Sequence, residues 1–325
     1  MWIFATFACQ QSDVTYNRRS AAAGAATDQS DRSRFDDDSS FDPNDPCGTE
    51  KAFGYQYGQN SSRSAQKTFI VGGDAASQDD LVTRSTVKIH LGNGHCTGTL
   101  IGLNQVVTAA HCFQEITSAS QISLGFGGSG SVDPGLRVTG AMRHPSYQGI
   151  LGTEENGYLD VTFYDVAVIT FEGTIDDQYY PVVVGSTEDE VSSGTEVIVA
   201  GYGAYSEQDN LLRPLTQVNT TVDEVLTDLR EIQLTGGEGK GACYGDSGGP
   251  TYVFDQTQSC LKVVGTTTGP GRNSNYTCNY GSGTMMDITT YKGWIKCALE
   301  DLGSPLGYLD SDSSEQACQN NEAIF

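Results

Sequence analysis

The sequence predicts an all-β fold, a sandwich or barrel of short strands, and three observations carry that expectation. From Ile70 onward, short apolar runs are separated by turn residues. The chain holds 39 glycines and only 18% charged residues, which suits a loop-rich β protein better than a helical one. Only Tyr291–Leu302 has helical patterning, and it lies near the end of the fold.

Val87–Leu91 alternates apolar and polar residues with period two, as a half-buried strand should. Thr99–Ile101 and Val106–Thr108 flank a Gly-Leu-Asn-Gln turn and read as a hairpin. Val166–Phe171, Val197–Ala200, Pro250–Phe254 and Val263–Thr267 read as further buried strands. Periodicity alone goes no further than sandwich or barrel.

The region before Ile70 differs in composition. Ser20–Ser40 is built from Ala, Gly, Ser, Asp and Arg with almost no apolar periodicity, too little to offset its ordering entropy, so disorder is expected there. Cys47, Phe53, Tyr55 and Tyr57 suit a pro-segment. Met1–Ala8 is apolar but has no basic start and is short for a signal-peptide core. A truncated signal and a lipoprotein-type start at Ala8-Cys9 both stand as readings, with Thr6 in the place where a leucine is usual for the latter. No apolar run reaches the ~18 residues of a membrane-spanning helix, so no integral membrane segment is expected.

The 325 residues carry 41 Asp and Glu against 18 Lys and Arg, a formal charge of -23 spread along the chain. Such a field repels phosphate backbones, so nucleic acid is not an expected partner. It suits a soluble extracellular surface; a preference for cationic substrates is the alternative. Nine cysteines without a C-x-x-C pair favour disulfides over a zinc site, hence an oxidising compartment. Their odd number leaves at least one unpaired, lost with a processed segment or otherwise modified.

Three segments carry chemistry: Thr108-Ala109-Ala110-His111-Cys112 after an apolar strand, Tyr164-Asp165-Val166-Ala167-Val168-Ile169 at the mouth of another, and Gly245-Asp246-Ser247-Gly248-Gly249-Pro250. A serine hydroxyl is a poor nucleophile until a base accepts its proton, and imidazole titrates near neutrality. A buried carboxylate fixes the imidazole tautomer and stabilises the imidazolium. Glycines beside Ser247 let the backbone approach a substrate and aim the amides of Gly245 and Ser247 at a developing oxyanion. Singly, a His beside a Cys is more often structural, and an Asp before a strand is usually a cap. The Gly-Asp-Ser-Gly-Gly-Pro run is far rarer by chance.

In the order His, Asp, Ser, these segments resemble the motifs of the chymotrypsin-like (trypsin-like) serine protease family. The resemblance covers about residues 70–302. It implies two six-stranded antiparallel β-barrels with a C-terminal helix, the first supplying His111 and Asp165, the second Ser247 and the substrate pocket. It also implies hydrolysis of protein or peptide substrates through an acyl-enzyme, with no cofactor. No metal site is expected; Glu154-Glu155 is too unspecific a pattern for calcium. Residues 1–69 then form a secretion and pro-region and residues 303–325 a C-terminal extension.

Ile70-Val71-Gly72-Gly73 resembles the family's mature N-terminus, whose new ammonium would pair with Asp246 after a cut in the chain. Phe69 stands before the cut where relatives present Arg or Lys, so the activator is expected to prefer apolar residues; an activating protease and autoactivation both stand. The resemblance places Gly241 at the pocket floor, next to Ala242, so cleavage after Arg or Lys is disfavoured. Gly283 matches the glycine that keeps the pocket open, and Thr268-Gly269-Pro270 falls where relatives carry Ser-Trp-Gly. Large apolar and small substrate residues both remain compatible with such a pocket. Two disulfides follow by resemblance, Cys96 with Cys112 and Cys243 with Cys278; Cys9, Cys47, Cys260, Cys297 and Cys318 do not map. Asn60, Asn219 and Asn275 begin glycosylation sequons. The rival from another class is a binding protein on a protease scaffold, and a third reading is an esterase acting on small substrates.

Overall fold

A strand that is apolar at every position, not at alternate ones, must be covered on both faces. Several of the runs above approach that character, and their apolar residues divide by parity between separate cores. Val106 and Ile169 enter one core while Val107 and Val168 enter another. Val197 and Val199 enter a third, while Ile198 and Ala200 share the second with Val107. The chain therefore builds two curved sheets, each with its own interior, and a common core between them.

The computed structural model describes residues 73–78, 80–92, 94–149, 163–186, 191–204, 214–235, 242–255, 260–270, 283–309 and 323–325. The readings made for residues 1–69, Ile70, Glu154-Glu155, Gly241, Asn275, Cys278 and Cys318 lie outside these residues.

The first sheet contains β2 (Thr86–Leu91), β3 (Gly94–Gly102), β4 (Gln105–Thr108), β5 (Ile122–Phe126), β6 (Ser131–Val132), β7 (Arg137–Arg143) and β8 (Ala167–Glu172). Its order is β6-β5-β2-β3-β4-β8-β7, antiparallel throughout, and it curls until β7 comes against β5. The second contains β1 (Asp74–Ala75), β9 (Val183–Val184), β10 (Glu196–Gly201), β11 (Thr216–Leu226), β12 (Glu231–Leu234), β13 (Pro250–Asp255), β14 (Cys260–Pro270) and β15 (Gly283–Asp287). There β10-β13-β14-β15-β12-β11 closes on itself as a six-stranded barrel, since β11 pairs with both β10 and β12. The two-residue β1 adds to β11, and β9 pairs in parallel with β14. The all-β expectation with a C-terminal helix holds, with one barrel closed and the other a curled sheet.

Among the described residues two helices complete the fold, α1 (Leu81–Ser85) and α2 (Lys292–Asp301). α2 follows a 3-10 turn (Ile288–Tyr291) whose first amides are capped by the Asp287 side chain. It buries Trp294, Ile295, Ala298 and Leu299, two adjacent pairs four residues apart, against the common core. α1 has only five residues, too few to show a helical period, and no local pattern marks it.

The described residues beyond α2 stay with the core. Leu306 and Tyr308 pack on the common core, and the Tyr308 hydroxyl donates to the Ile101 carbonyl at 3.0 Å. Ala323 bridges Met142 of β7, the Ile324 amide donates to Ala141, and Ile324 and Phe325 pack against the interior of the first sheet. Truncating both to alanine removes apolar cover worth roughly 1–3 kcal/mol. The Ile324→Ala/Phe325→Ala double variant is expected to melt roughly 2–10 °C lower by calorimetry; an unchanged midpoint would mean that this segment adds nothing to the first sheet.

Candidate active site

β4 and β8 are antiparallel partners with Thr108 opposite Ala167. The residues that follow β4 and those that precede β8 must therefore emerge at the same end of the sheet. That register brings His111, on the 3-10 turn Ala110–Phe113, against Asp165. The His111 amide donates to Asp165 Oδ1 at 2.8 Å, and His111 Nδ1 lies 2.7 Å from Oδ2. Both carboxylate oxygens are thus committed to one residue, and Asp165 itself is fully buried. Burial alone would lower the pKa of His111; the charge of Asp165 and its hydrogen bond outweigh that, and the net direction is upward.

Asp165 sits in a tight turn. The Val166 amide donates to the Tyr164 carbonyl at 2.8 Å, closing a three-residue turn around it. Tyr164 has φ of 60°, the left-handed region that a bulky side chain rarely adopts. Its ring stacks on His144 at 4.6 Å with the Arg230 guanidinium 5.8 Å away, which holds this conformation in place. Burial and the Arg230 charge push His144 down to about 4, so it packs there as a neutral ring.

Ser247 comes from the other sheet, on the loop between β12 and β13. Two amides in this loop differ from their neighbours. Those of Asp246, Gly248 and Gly249 donate to Cys243, Thr267 and Asp246 carbonyls, whereas Gly245 and Ser247 donate to no acceptor among the described residues. Gly245 has φ of +95°, and a Cβ there would lie 2.4 Å from His95 Nε2, so only glycine fits. Between His111 and Ser247 no side-chain hydrogen bond forms among the described residues; such bonds are often long before a substrate is bound.

Asp246 is the second fully buried carboxylate and has a different environment. Its oxygens accept from Gly203 N at 2.8 Å and Cys243 N at 2.9 Å. A Cβ at Gly203 would lie 2.4 Å from its carboxyl carbon, so close approach of that chain requires glycine. Burial pushes its pKa up to about 7, and the two amide hydrogen bonds offset this only in part.

The sequence-expected pocket residues fall together in part. Ala242 and Met285 share the interior core of the barrel, and Met285 Cε lies 2.6 Å from where a Cβ on Gly283 would project. Gly269 borders open space. Thr268 forms the bulge where β14 slips against β15, and its buried hydroxyl has no hydrogen-bond partner among the described residues. Cys96 and Cys112 form a disulfide with Cα atoms 6.3 Å apart. Cys243, Cys260 and Cys297 are disulfide-bonded as well; as an odd set, at least one must reach a cysteine outside the described residues. Ligand atoms of Cys96, His111 and Cys112 lie within 4.8 Å of one another, but the disulfide consumes both thiolates a metal would need.

Sequence reasoning passed over Thr97 and Tyr147, and gave Tyr164 no role beyond its place in the segment of Asp165. Tyr147 accepts from Gln114 at 2.8 Å, and its phenol is pushed up to about 12 by burial and by Asp165. No local motif marks Thr97 or Tyr147, because their partners are distant in sequence.

A barrel beside a curled sheet, with a paired His and Asp on one and a serine beside two unpartnered amides on the other, has the layout of a serine hydrolase. The family model described as Trypsin matches residues 70–295, and the chain belongs to that family. Among curated relatives, "Trypsin" from Simulium vittatum is 30% identical over 174 residues, 49% of this chain and 66% of that protein. "Coagulation factor XI" from Bos taurus is 27% identical over 254 residues, 70% of this chain and 37% of that protein. The chain thus spans less than two thirds of the length of either relative.

The state of Asp246 gives a sign-definite test. Its folded pKa of about 7 lies above its ordinary 3.8. Both states are protonated below that lower value and both are ionised above the higher one; between them, the cost of ionising the buried group grows with pH. In the uncut Ser247→Ala chain, changing pH from 4.5 to 7.5 is expected to stabilise Asp246→Asn relative to its parent by ~3 kcal/mol, read from urea midpoints. No relative change would mean that a cation already pairs with the carboxylate.

Proposed function

We propose that the protein is a secreted serine endopeptidase made as a proenzyme, with Ser247 as nucleophile, His111 as general base and Asp165 as its orienting carboxylate. The observation that carries this reading is the pair of unpartnered amides at Gly245 and Ser247, next to the one serine in the loop. The neighbouring amides of Asp246, Gly248 and Gly249 are all satisfied by carbonyls, and two left open in the same partly exposed turn suit an oxygen supplied by a substrate.

Ser247 Oγ attacks the peptide carbonyl while His111 Nε2 takes its proton; the carbonyl π pair moves onto oxygen, which the Gly245 and Ser247 amides receive. Collapse breaks the C–N bond, and the imidazolium returns the proton to the departing amine. Water, deprotonated by the same His111, then cleaves the acyl ester. Asp165 supports each step by stabilising the imidazolium, in line with its two hydrogen bonds to His111.

Residues 1–69 act in this reading as secretion and pro-region, residues 70–302 as the protease and 303–325 as an extension. Cleavage between Phe69 and Ile70 would free an ammonium for the buried Asp246, whose raised pKa is what a carboxylate awaiting a cation should have. Ala242, Thr268 and Gly283 bring no charge to the pocket, which favours apolar over basic substrate residues. Phe69 is itself such a residue, so an apolar-specific activator or autoactivation fits.

A fluorophosphonate probe is expected to label the processed protein and to leave Ser247→Ala unlabelled. A processed, folded parent that stays unlabelled would overturn the reading. For hydrolysis, kcat/KM should rise with pH along a single ionisation above the ordinary 6.5 of histidine, because His111 must be neutral to act and its pKa is raised. Asp165→Asn should shift that ionisation downward and reduce kcat by about 10⁴; an unshifted profile would assign the ionisation to another group.

A further inference from the structure

The loop that carries Ser247 belongs to the second sheet, yet its geometry is fixed from the first. Thr97 lies on β3 and is fully buried. Its amide donates to the Ser247 carbonyl at 2.8 Å. Its hydroxyl donates to the Gly245 carbonyl at 2.8 Å and accepts from the Tyr202 amide at 3.2 Å. Its own carbonyl accepts from the Thr108 hydroxyl at 2.8 Å, three residues before His111. Amide, hydroxyl and carbonyl of this one residue are thus all engaged, the first two toward the loop and its neighbour.

The two bonds to the loop land on the carbonyls of Gly245 and Ser247. Those are the residues whose amides are left open, so Thr97 brackets the segment that bears both donors. Fixing each carbonyl fixes ψ at that residue. With φ of Gly245 set at +95° against His95, the peptide planes between residues 245 and 248 have little freedom left. The bond from Tyr202 matters as well. Tyr202 precedes Gly203, whose amide holds Asp246, so the hydroxyl of Thr97 joins the outside of the loop to the chain that grips its centre. Thr108 extends the same network toward the turn of His111.

We infer that Thr97 is a positioning residue that sets the two oxyanion-binding amides through its hydroxyl, an inference that rests on the activity proposed above. Backbone pairing from this strand would survive any side chain at position 97; the tie to Gly245 and Tyr202 would not. Removing the hydroxyl displaces the donors without deleting them. The expected loss is therefore smaller than the 10²–10³ seen when an oxyanion donor is removed outright, about tenfold.

The test uses the processed full chain and three variants, Thr97→Val, Thr97→Ala and Thr97→Ser, each first checked for folding by its thermal midpoint. p-Nitrophenyl acetate reports the acylation rate constant, and phenylboronic acid, whose tetrahedral adduct places an oxygen near the same amides, reports oxyanion binding. Val and Ala are expected to slow acylation and weaken the boronate, each by about tenfold, with KM within about twofold; Ser should match the parent in both. If the Val protein does not fold, the contrast between Ala and Ser decides. Acylation at the parental rate in Val or Ala, or a loss in Ser equal to theirs, would overturn the role of the hydroxyl. A parent that reacts with neither the ester nor a fluorophosphonate would sink the proposed activity, and this inference with it.

Discussion

The site depends on a seam. His111 and Asp165 stand on one sheet and Ser247 on the other, so their spacing is only as well defined as the contact between the sheets. That contact is the common core in which Ile101, Val107 and Val168 from one side meet Ile198, Ala200, Tyr252 and Val263 from the other. Each of these residues is at most 8% exposed, and Trp294, Ile295, Ala298 and Leu299 of α2 close the same core. A close-packed seam has few low-energy rearrangements, which is what a site built from two halves requires. Polar ties such as those of Thr97 then refine a geometry that packing has already brought within reach.

The two buried carboxylates show how environment assigns different tasks to one chemical group. Asp165 faces an imidazole and an amide of the same residue, so its charge has an immediate partner that gains from it. Asp246 accepts from two backbone amides, which burial outweighs, and the group resists ionisation near neutrality. One arrangement is complete as it stands. The other is poised, since a positive charge brought beside it would change its protonation and the balance of the loop around it.

Much of this was legible in the sequence, and the reason is local. The chemistry proposed for His111, Asp165 and Ser247 needs particular residue types at adjacent positions, and adjacency is what a sequence displays. Strands covered on both faces, such as Val166–Phe171 and Val197–Ala200, were equally plain as unbroken apolar runs. By contrast β11 (Thr216–Leu226) was missed, because the valines it packs on the barrel core, Val218, Val222 and Val225, are irregularly spaced, with Asn219, Thr220, Thr221, Asp223 and Glu224 between them. Closure of one sheet and not the other depends on pairing between strands far apart in the chain, and so do the ties of Thr97 and the strained turn at Tyr164. The bulge at Thr268 was likewise not legible, because it arises from the register between β14 and β15 and not from any local pattern.

The segment 323–325 has a consequence for the behaviour of the protein in solution. Among the described residues no ladder joins the end strands of the first sheet, so β6 and β7 are its borders, and unpaired backbone groups at a border are a hazard for self-association. One border is β6, only two residues long and too short to template a neighbour. The other is β7, a seven-residue strand, and there Ala323 and Ile324 occupy the backbone positions that a strand from another molecule would otherwise seek. Among the described residues, one border is thus short and part of the other is covered by the protein's own chain, which narrows the edge open to a neighbouring strand.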